Sequence, residues 1–143
     1  MSMKKLRTKH YIIEGNPIAL ARCRYARGHI YDTQKNLKLV WGITIANQHN
    51  DEPMFEGPIW MNVIFYMPIA KRCSGKLRAD TIGNWHIFRP DLSNCVKLLE
   101  DCCINVLYKD DCIIAKETVE KRYDDGNGTR TEFTISELPT KRS

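Results

Sequence analysis

The stretch DLSNCVKLLEDCCINVL, residues 91–107, carries the strongest helical pattern in the chain. At about 100° per residue, its apolar side chains fall on one broad face, while Asn94, Lys97 and Asp101 fall within an arc of about 60° on the other. The apolar face comprises Leu92, Cys95, Val96, Leu98, Leu99, Cys102 and Cys103. We therefore predict a helix over 91–107 that buries one side and exposes the other.

The part of the chain before this helix has the patterns of two strands and a second helix. His10–Glu14 is a short apolar run that Gly15-Asn16-Pro17 ends, and it predicts a first strand. Ile59–Met67 is rich in aromatic and branched residues, which favours a buried strand covered on both faces. A second helix is predicted over Lys35–Gln48 from its helical apolar spacing.

The C-terminal part of the chain has the pattern of two further strands. Cys112–Tyr123 and Arg130–Ser136 alternate, and Asp124-Asp125-Gly126-Asn127-Gly128 between them is typical of a hairpin loop. By contrast, residues 16–33 and the long connection Pro68–Pro90 show few signals of regular structure. The β-α-β-α-β-β order predicts an α+β fold in which a small mixed sheet packs against helices.

Length and composition limit the class of protein. The 143 residues fit a single domain over 1–143, with 1–9 and 137–143 expected to be frayed, and 43% hydrophobic content is enough for a core. Six cysteines occur without any C-x-x-C pair, which argues against zinc and for reduced core thiols. No apolar run approaches the roughly 20 residues of a membrane span. We expect a cytoplasmic, intracellular protein of bacterial or phage-like type, with no membrane partner.

Positive charge is concentrated in two stretches, residues 19–38 and 69–90, each with five cations against one aspartate and a net of +4. Their cations are Arg22, Arg24, Arg27, Lys35 and Lys38 in the first, and Lys71, Arg72, Lys76, Arg78 and Arg89 in the second. The chain as a whole has a net charge of +5. Such stretches suit DNA phosphates, and Tyr25 and Tyr31 could add stacking, but solvated loops would look the same.

An acidic stretch with a net charge of −3 follows directly over residues 91–111. Asp91 starts the predicted helix, Asp101 lies on its polar face, and Asp110-Asp111 precede the next strand. Carboxylates of this kind could hold Mg²⁺ for phosphodiester hydrolysis, with Lys97 beside the phosphate. Each residue also has a structural alternative: Asp91 as a helix cap, Lys97 and Asp101 as a surface ion pair, and Asp110-Asp111 as turn residues.

The order of these motifs resembles the RusA family of Holliday-junction resolvases. The similarity rests on Arg89-Pro-Asp-Leu-Ser-Asn94, then Lys97 and Asp101, then Leu107-Tyr-Lys-Asp-Asp111. Gly15-Asn-Pro17, Arg22-Cys-Arg24 and a histidine at His86 resemble further family elements, so that most of residues 10–136 is covered. The resemblance implies catalytic roles for Asp91, Lys97 and Asp111, with Asp101 and Asp110 as supporting metal ligands.

One departure from the family pattern concerns the metal site. The family's second D-x-D aspartate is Ser93 here, and a neutral hydroxyl cannot replace a carboxylate charge. In the basic loop, Leu20 and Cys23 stand where relatives often carry lysine and proline. Either Asp101 or Asp110 compensates for Ser93, or metal affinity and activity are reduced.

By resemblance, we expect a homodimer that resolves four-way or branched DNA by paired nicks with Mg²⁺, or alternatively Mn²⁺. The expected DNA-binding residues are Arg22, Arg24, Arg27, Lys71, Arg72, Lys76, Arg78, His86 and Arg89. Two rival hypotheses remain open at this point. The chain could bind branched DNA without cutting it because of Ser93, or it could bind RNA through its basic loops and aromatic residues.

Overall fold

The computed structural model describes residues 5–140, so the predictions for 1–4 and 141–143 lie outside it. Within that range the chain has the predicted α+β fold with a mixed sheet of four strands, and it has three helices where two were predicted. In chain order the elements are β1 (Thr8–Glu14), β2 (Arg24–Ala26), β3 (His29–Tyr31), α1 (Lys35–His49), β4 (Ile59–Met67), α2 (Gly75–Thr81), α3 (Leu92–Cys103), β5 (Ile114–Tyr123) and β6 (Arg130–Glu137). A short 3₁₀ turn, Asp111–Ile113, leads into β5.

The sheet has the strand order β1-β6-β4-β5, and β4 runs parallel to β5 and antiparallel to β6. The predicted hairpin of β5 and β6 is therefore wrong, because β4 lies between them. The connection crosses the end of β4, where the backbone N–H of Asp124 donates to the carbonyl of Met67 over 2.7 Å. At the centre of the sheet, the apolar strand β4 forms backbone hydrogen bonds with a strand on each side. The charged residues of β5 are suited to an edge strand.

Helices cover only one face of this sheet. Alternate residues of β4 are buried in the core, and the residues between them are not. The buried set is Ile59, Met61, Val63, Phe65 and Met67. The expectation that both faces of β4 are covered is thus wrong, because α1 and α3 pack on the same side.

Helix α3 confirms the predicted division into two faces. Its buried residues are Cys95, Val96, Leu98, Leu99, Cys102 and Cys103. The helix ends at Cys103 rather than at Leu107, although Leu107 and Tyr108 are still buried in the following turn. Asp91 is the N-cap residue, but its side chain makes no capping hydrogen bond.

Several segments are more ordered than predicted. Residues 16–33 contain the β2–β3 hairpin, and the long connection 68–90 contains α2. Thr8 and Lys9 belong to β1 and Glu137 to β6, so the sheet extends into both ends that were expected to be frayed. A hydrogen bond from the Arg7 backbone to Glu137 Oε1, 2.6 Å long, extends this pairing further.

The six cysteines are all free, and three of them, Cys95, Cys102 and Cys103, are buried as expected for core thiols. Cys23 and Cys112 are exposed. No helix within residues 5–140 combines the length and the apolar composition needed to cross a membrane.

Candidate functional site

The N-terminal end of α3 presents the first group of predicted site residues at the surface. Asp91, Ser93 and Lys97 are all exposed, as is Arg89 in the preceding loop. No ion pair joins Lys97 to a carboxylate among residues 5–140, so its ammonium is not engaged by Asp101. A carboxylate and an ammonium are thus available to a ligand at this end of the helix.

Lys121 holds the turn that precedes Asp91. It lies on β5 opposite Phe65, on the face of the sheet that α3 covers. Its ammonium donates to the carbonyl oxygen of Phe88 and, over 2.6 Å, to that of Pro90. Reasoning from the sequence missed this residue; a lysine in phase with inward-facing Val119 and Tyr123 was the available signal.

Backbone hydrogen bonds fix the rest of this loop to the edge of β5. Gly83 N–H donates to Asp124 over 3.1 Å, Tyr123 N–H to Asn84 over 2.8 Å, and His86 N–H to Lys121 over 3.0 Å. The half-buried His86 ring lies 4.8 Å from the Tyr123 ring, centroid to centroid. Burial, together with the charge of Lys121, lowers the pKa of His86 and favours the neutral ring.

The C-terminal end of α3 lies beside a second acidic group, which we call the carboxylate cluster: Glu100, Asp101, Asp110, Asp111 and Glu117. Burial, followed by the hydrogen bond and charge of Glu117, raises the pKa of Glu100 to about 8. Burial also raises the pKa of Asp111, and Asp110 and Asp101 add to the rise. Carboxyl groups therefore gather here without enough cations to keep all of them ionised.

Two members of the cluster have local partners. Asp110 accepts a hydrogen bond from the backbone N–H of Cys112 over 2.9 Å, which is the turn role that the sequence left open. Asp101 lies 3.6 Å from the ammonium of Lys38 in α1, and Lys38 also pairs with Asp32 at 2.8 Å. Lys38 is another contact that the sequence did not reveal, since α1 and α3 had to be packed before it could be seen.

The two ends of α3 are too far apart to share one ion. Ten residues at about 1.5 Å each place Asp91 and Asp101 about 15 Å apart along the axis. Asp111 lies at the Asp101 end, close enough for Asp101 to add to the rise in its pKa. Oxygens bound to one Mg²⁺ lie within about 4.2 Å of each other, because each is about 2.1 Å from the metal. One chain therefore does not bring Asp91 and Asp111 together.

Neither end of α3 forms a complete metal site by itself. Across residues 5–140, no three Asp, Glu, His or Cys side chains converge so that they could hold a metal ion. A single copy therefore does not fit a complete metal centre. It offers two partial sets, an exposed one at the start of α3 and a partly exposed one beyond its end.

The β2–β3 hairpin and the segment just before it carry the three arginines of the first predicted group. All residues from Ala21 to Tyr31 are exposed, including Arg22, Arg24 and Arg27. Arg27 and Gly28 form its tip with positive φ angles of 51° and 78°. A projecting two-stranded ribbon of this kind has the size to enter a DNA groove.

The second group of predicted cations surrounds α2, which leads toward Asp91. Lys71, Arg72, Lys76 and Arg78 are all exposed. None of them forms an ion pair with a carboxylate in the part of the chain that the structure describes. Unpaired cations in two groups make the surface suited to a polyanion.

Comparison with known proteins finds a family and a relative. A family model described as "Endodeoxyribonuclease RusA" matches residues 14–136. The chain is also 28% identical over 137 residues to "Uncharacterized protein YqaN" of Bacillus subtilis (strain 168), a match that covers 90% of this chain and 95% of that protein.

Proposed function

Because the chain belongs to the endodeoxyribonuclease RusA family, we propose that it resolves four-way DNA junctions by metal-dependent, paired nicking. Membership of the family implies junction-resolving endonuclease activity; the metal, the dimer and the roles of individual residues are our proposal. The observation that carries it is that Asp91 lies at the start of α3 whereas Asp111 lies beyond its other end. Both carboxylates are accessible, yet neither belongs to a complete site.

A homodimer would complete two such sites. Twofold symmetry that brings Asp91 of one copy to Asp111 of the other also creates the reciprocal pair. Two equivalent sites suit a four-way junction, which is itself close to twofold symmetric and needs two nicks.

Asp91 and Asp111 would hold Mg²⁺, or Mn²⁺, with Asp101 and Asp110 in support. When bound, such an ion supplies Lewis acidity and an activated water. The raised pKa of Asp111 supports this assignment, since a cation would relieve repulsion within the carboxylate cluster. Lys97, exposed in the second turn of α3, would face the phosphate and oppose its developing charge.

DNA would contact the two groups of unpaired cations. The β2–β3 hairpin offers Arg22, Arg24 and Arg27, and the loop around α2 offers the second group. Arg89 joins the second group beside Asp91. His86 contributes through its packing rather than its charge, because burial favours its neutral form.

Mixing two inactive variants tests the shared site directly. Asp91→Asn and Asp111→Asn should each abolish cleavage of a synthetic four-way junction in Mg²⁺ while still binding it. In a mixed dimer, one site combines both substitutions and the other combines two intact aspartates. We therefore expect the mixture, after subunit exchange, to recover single nicks.

Several outcomes would contradict this proposal. A mixture that stays inactive, despite mixed dimers detected by mass spectrometry, would place each site within one chain. A stable monomer in light scattering, both free and on a junction, would exclude coordinated nicking. Asp51→Asn, in the exposed turn after α1, is the matched control and should leave cleavage unchanged.

Ser93 favours a second candidate function, a branched-DNA-binding module without cleavage. Its hydroxyl is exposed at the first turn of α3, where it adds no charge to the set around Asp91. Under this alternative, the wild-type protein would bind a four-way junction in preference to linear duplex but would not nick it at any Mg²⁺ or Mn²⁺ concentration.

A further inference from the structure

The loop between α2 and α3 exposes large apolar side chains next to Asp91. Trp85 is 54% exposed, Ile87 80% and Phe88 65%. We call these three residues the apolar ridge. Phe88 precedes Asp91 by only three positions, so their Cα atoms are at most about 11 Å apart.

The ridge is held rigidly. Trp85 forms a β-bridge with Arg122, and the ammonium of Lys121 donates to the carbonyl of Phe88. The Arg122 guanidinium lies 3.8 Å from the centroid of the Trp85 ring, and its Nη1 donates to Gly83 over 3.0 Å. Ile87 and Phe88 are therefore displayed to solvent from a fixed backbone that does not fold them into the core. Apolar groups presented in this way mark a binding surface.

The charge around the ridge indicates the chemistry of its partner. Arg89 follows directly, and the unpaired cations of the loop around α2 lie in the same connection. A second copy that buried the ridge by twofold contact would bring like charges together, which is unfavourable. DNA has the complementary charge in its phosphates and apolar faces on its bases.

We propose that the apolar ridge contacts the bases exposed at the branch point of a four-way junction and so places the branch beside Asp91. The inference rests on the proposed function and names how that site would recognise its substrate. In linear duplex DNA the base faces are covered by their neighbours. At a branch point they are accessible, and apolar side chains can pack against or between them. The ridge would thus favour branched over linear DNA.

The test compares two double variants. Ile87→Ala/Phe88→Ala removes the ridge, and Leu39→Ala/Ile43→Ala removes exposed apolar residues from α1, where they are 62% and 53% exposed. Binding is measured without divalent cations, on a four-way junction and on linear duplex of the same sequence. Stacking on an aromatic residue contributes enough that we expect the first variant to bind the junction about 10- to 100-fold more weakly. Its binding to duplex should change by less than about twofold, and the α1 variant should match the wild type on both.

A second measurement does not depend on any variant. 2-Aminopurine placed at the branch point should change its fluorescence when wild-type protein binds, whereas the same base ten pairs into one arm should not. No change at the branch would overturn the proposal, as would a ridge variant that binds the junction like wild type. Dissociation of a wild-type dimer by the ridge variant, seen in sedimentation, would also overturn it and make a second copy the partner.

These results separate the ridge from the function as a whole. If wild-type protein nicks junctions and the ridge variant binds and nicks them equally well, only the ridge proposal fails. If wild-type protein neither binds junctions more tightly than duplex nor nicks them, both proposals fail.

Discussion

The ammonium of Lys121 in β5 donates a hydrogen bond to the carbonyl oxygen of Pro90, 2.6 Å away, immediately before Asp91. This contact joins the edge strand of the sheet to the turn from which α3 begins. Since β5 also starts just after Asp111, one strand connects the two acidic ends of the proposed site. The position of Asp91 therefore depends on a side chain thirty residues later in the chain.

Replacing Lys121 with methionine should loosen that turn. Lys121→Met keeps most of the side-chain volume but leaves the carbonyls of Phe88 and Pro90 without their donor. We expect the free energy of unfolding to fall by about 1–2 kcal/mol, measured with urea. Junction cleavage should fall further than junction binding, because Asp91 loses its position, and Lys121→Arg should restore part of it.

Lys116→Met is the matched control, since Lys116 lies on the same strand but is exposed over the Trp60 ring. Its effect on stability should stay within about 0.5 kcal/mol. Equal losses of cleavage in both variants would show that charge alone, and not the bond to the turn, is responsible.

The cations around α2 should contribute to DNA affinity by neutralising phosphates. Replacing Lys71, Arg72, Lys76 and Arg78 together with alanine should weaken binding to every DNA shape. The slope of log affinity against log salt should become shallower by about 0.9 for each phosphate that the variant no longer neutralises. The corresponding change of Arg22, Arg24 and Arg27 provides the comparison; an unchanged slope in the first variant and a shallower one in the second would place DNA on the β2–β3 hairpin alone.

Local sequence patterns predicted where the helices and strands lie better than they predicted which strands are paired. The bounds of β4 follow from its run of aromatic and branched residues. The buried face of α3 follows from the periodicity of its apolar residues, which directly reflects burial. The Asp124–Gly128 loop is rich in turn residues, but such residues favour a reversal of the chain without specifying which strand it joins. Only the competition of β4 for the central position separates β5 from β6.

The positions of the candidate site residues relative to one another were also not predictable from local sequence patterns. Asp91 and Asp111 are twenty residues apart in sequence. This spacing alone does not tell whether the two side chains are close together in the folded chain. Helix α3 carries the chain to the opposite end of the sheet, which is why one copy holds two partial sets. Lys38 and Lys121 were missed because their roles depend on partners in other elements.

The loop between β5 and β6 should make stability depend on pH in the acidic range. Arg130 binds both oxygens of Asp125 at 3.0 Å, and this guanidinium lowers the pKa of Asp125 to about 2. A carboxyl with a lowered pKa in the folded state stabilises the fold above its unfolded pKa, near 3.8, and that contribution is lost as the pH falls toward 2.

Asp125→Asn should therefore lower the free energy of unfolding by about 1 kcal/mol at pH 7, a figure reduced for the partial exposure of the pair. Near pH 2 the variant and the wild type should converge. Urea titrations from pH 2 to 7 measure this, with exposed Asp80→Asn as the control. A difference that persists undiminished at pH 2 would mean that the Asp125 side chain stabilises the loop by something other than its charge.

Ser93 offers the most direct test of where the metal lies. It is exposed two residues after Asp91 in the first turn of α3, so Ser93→Asp adds a carboxylate beside the first without disturbing the core. A negative charge near a helix N-terminus is also favourable by about 0.3–1 kcal/mol, and the fold should not suffer. If a divalent ion binds at this end of the helix, the variant should need a lower Mg²⁺ concentration for half-maximal junction cleavage, and isothermal titration should show tighter binding of Mg²⁺. Ser93→Asn, whose new side chain is similar in size to aspartate but uncharged, is the control and should not change that concentration.

An inactive wild type with an active Ser93→Asp variant would identify the natural protein as a junction-binding module. A folded Ser93→Asp variant that loses wild-type cleavage would instead place the ion away from this turn.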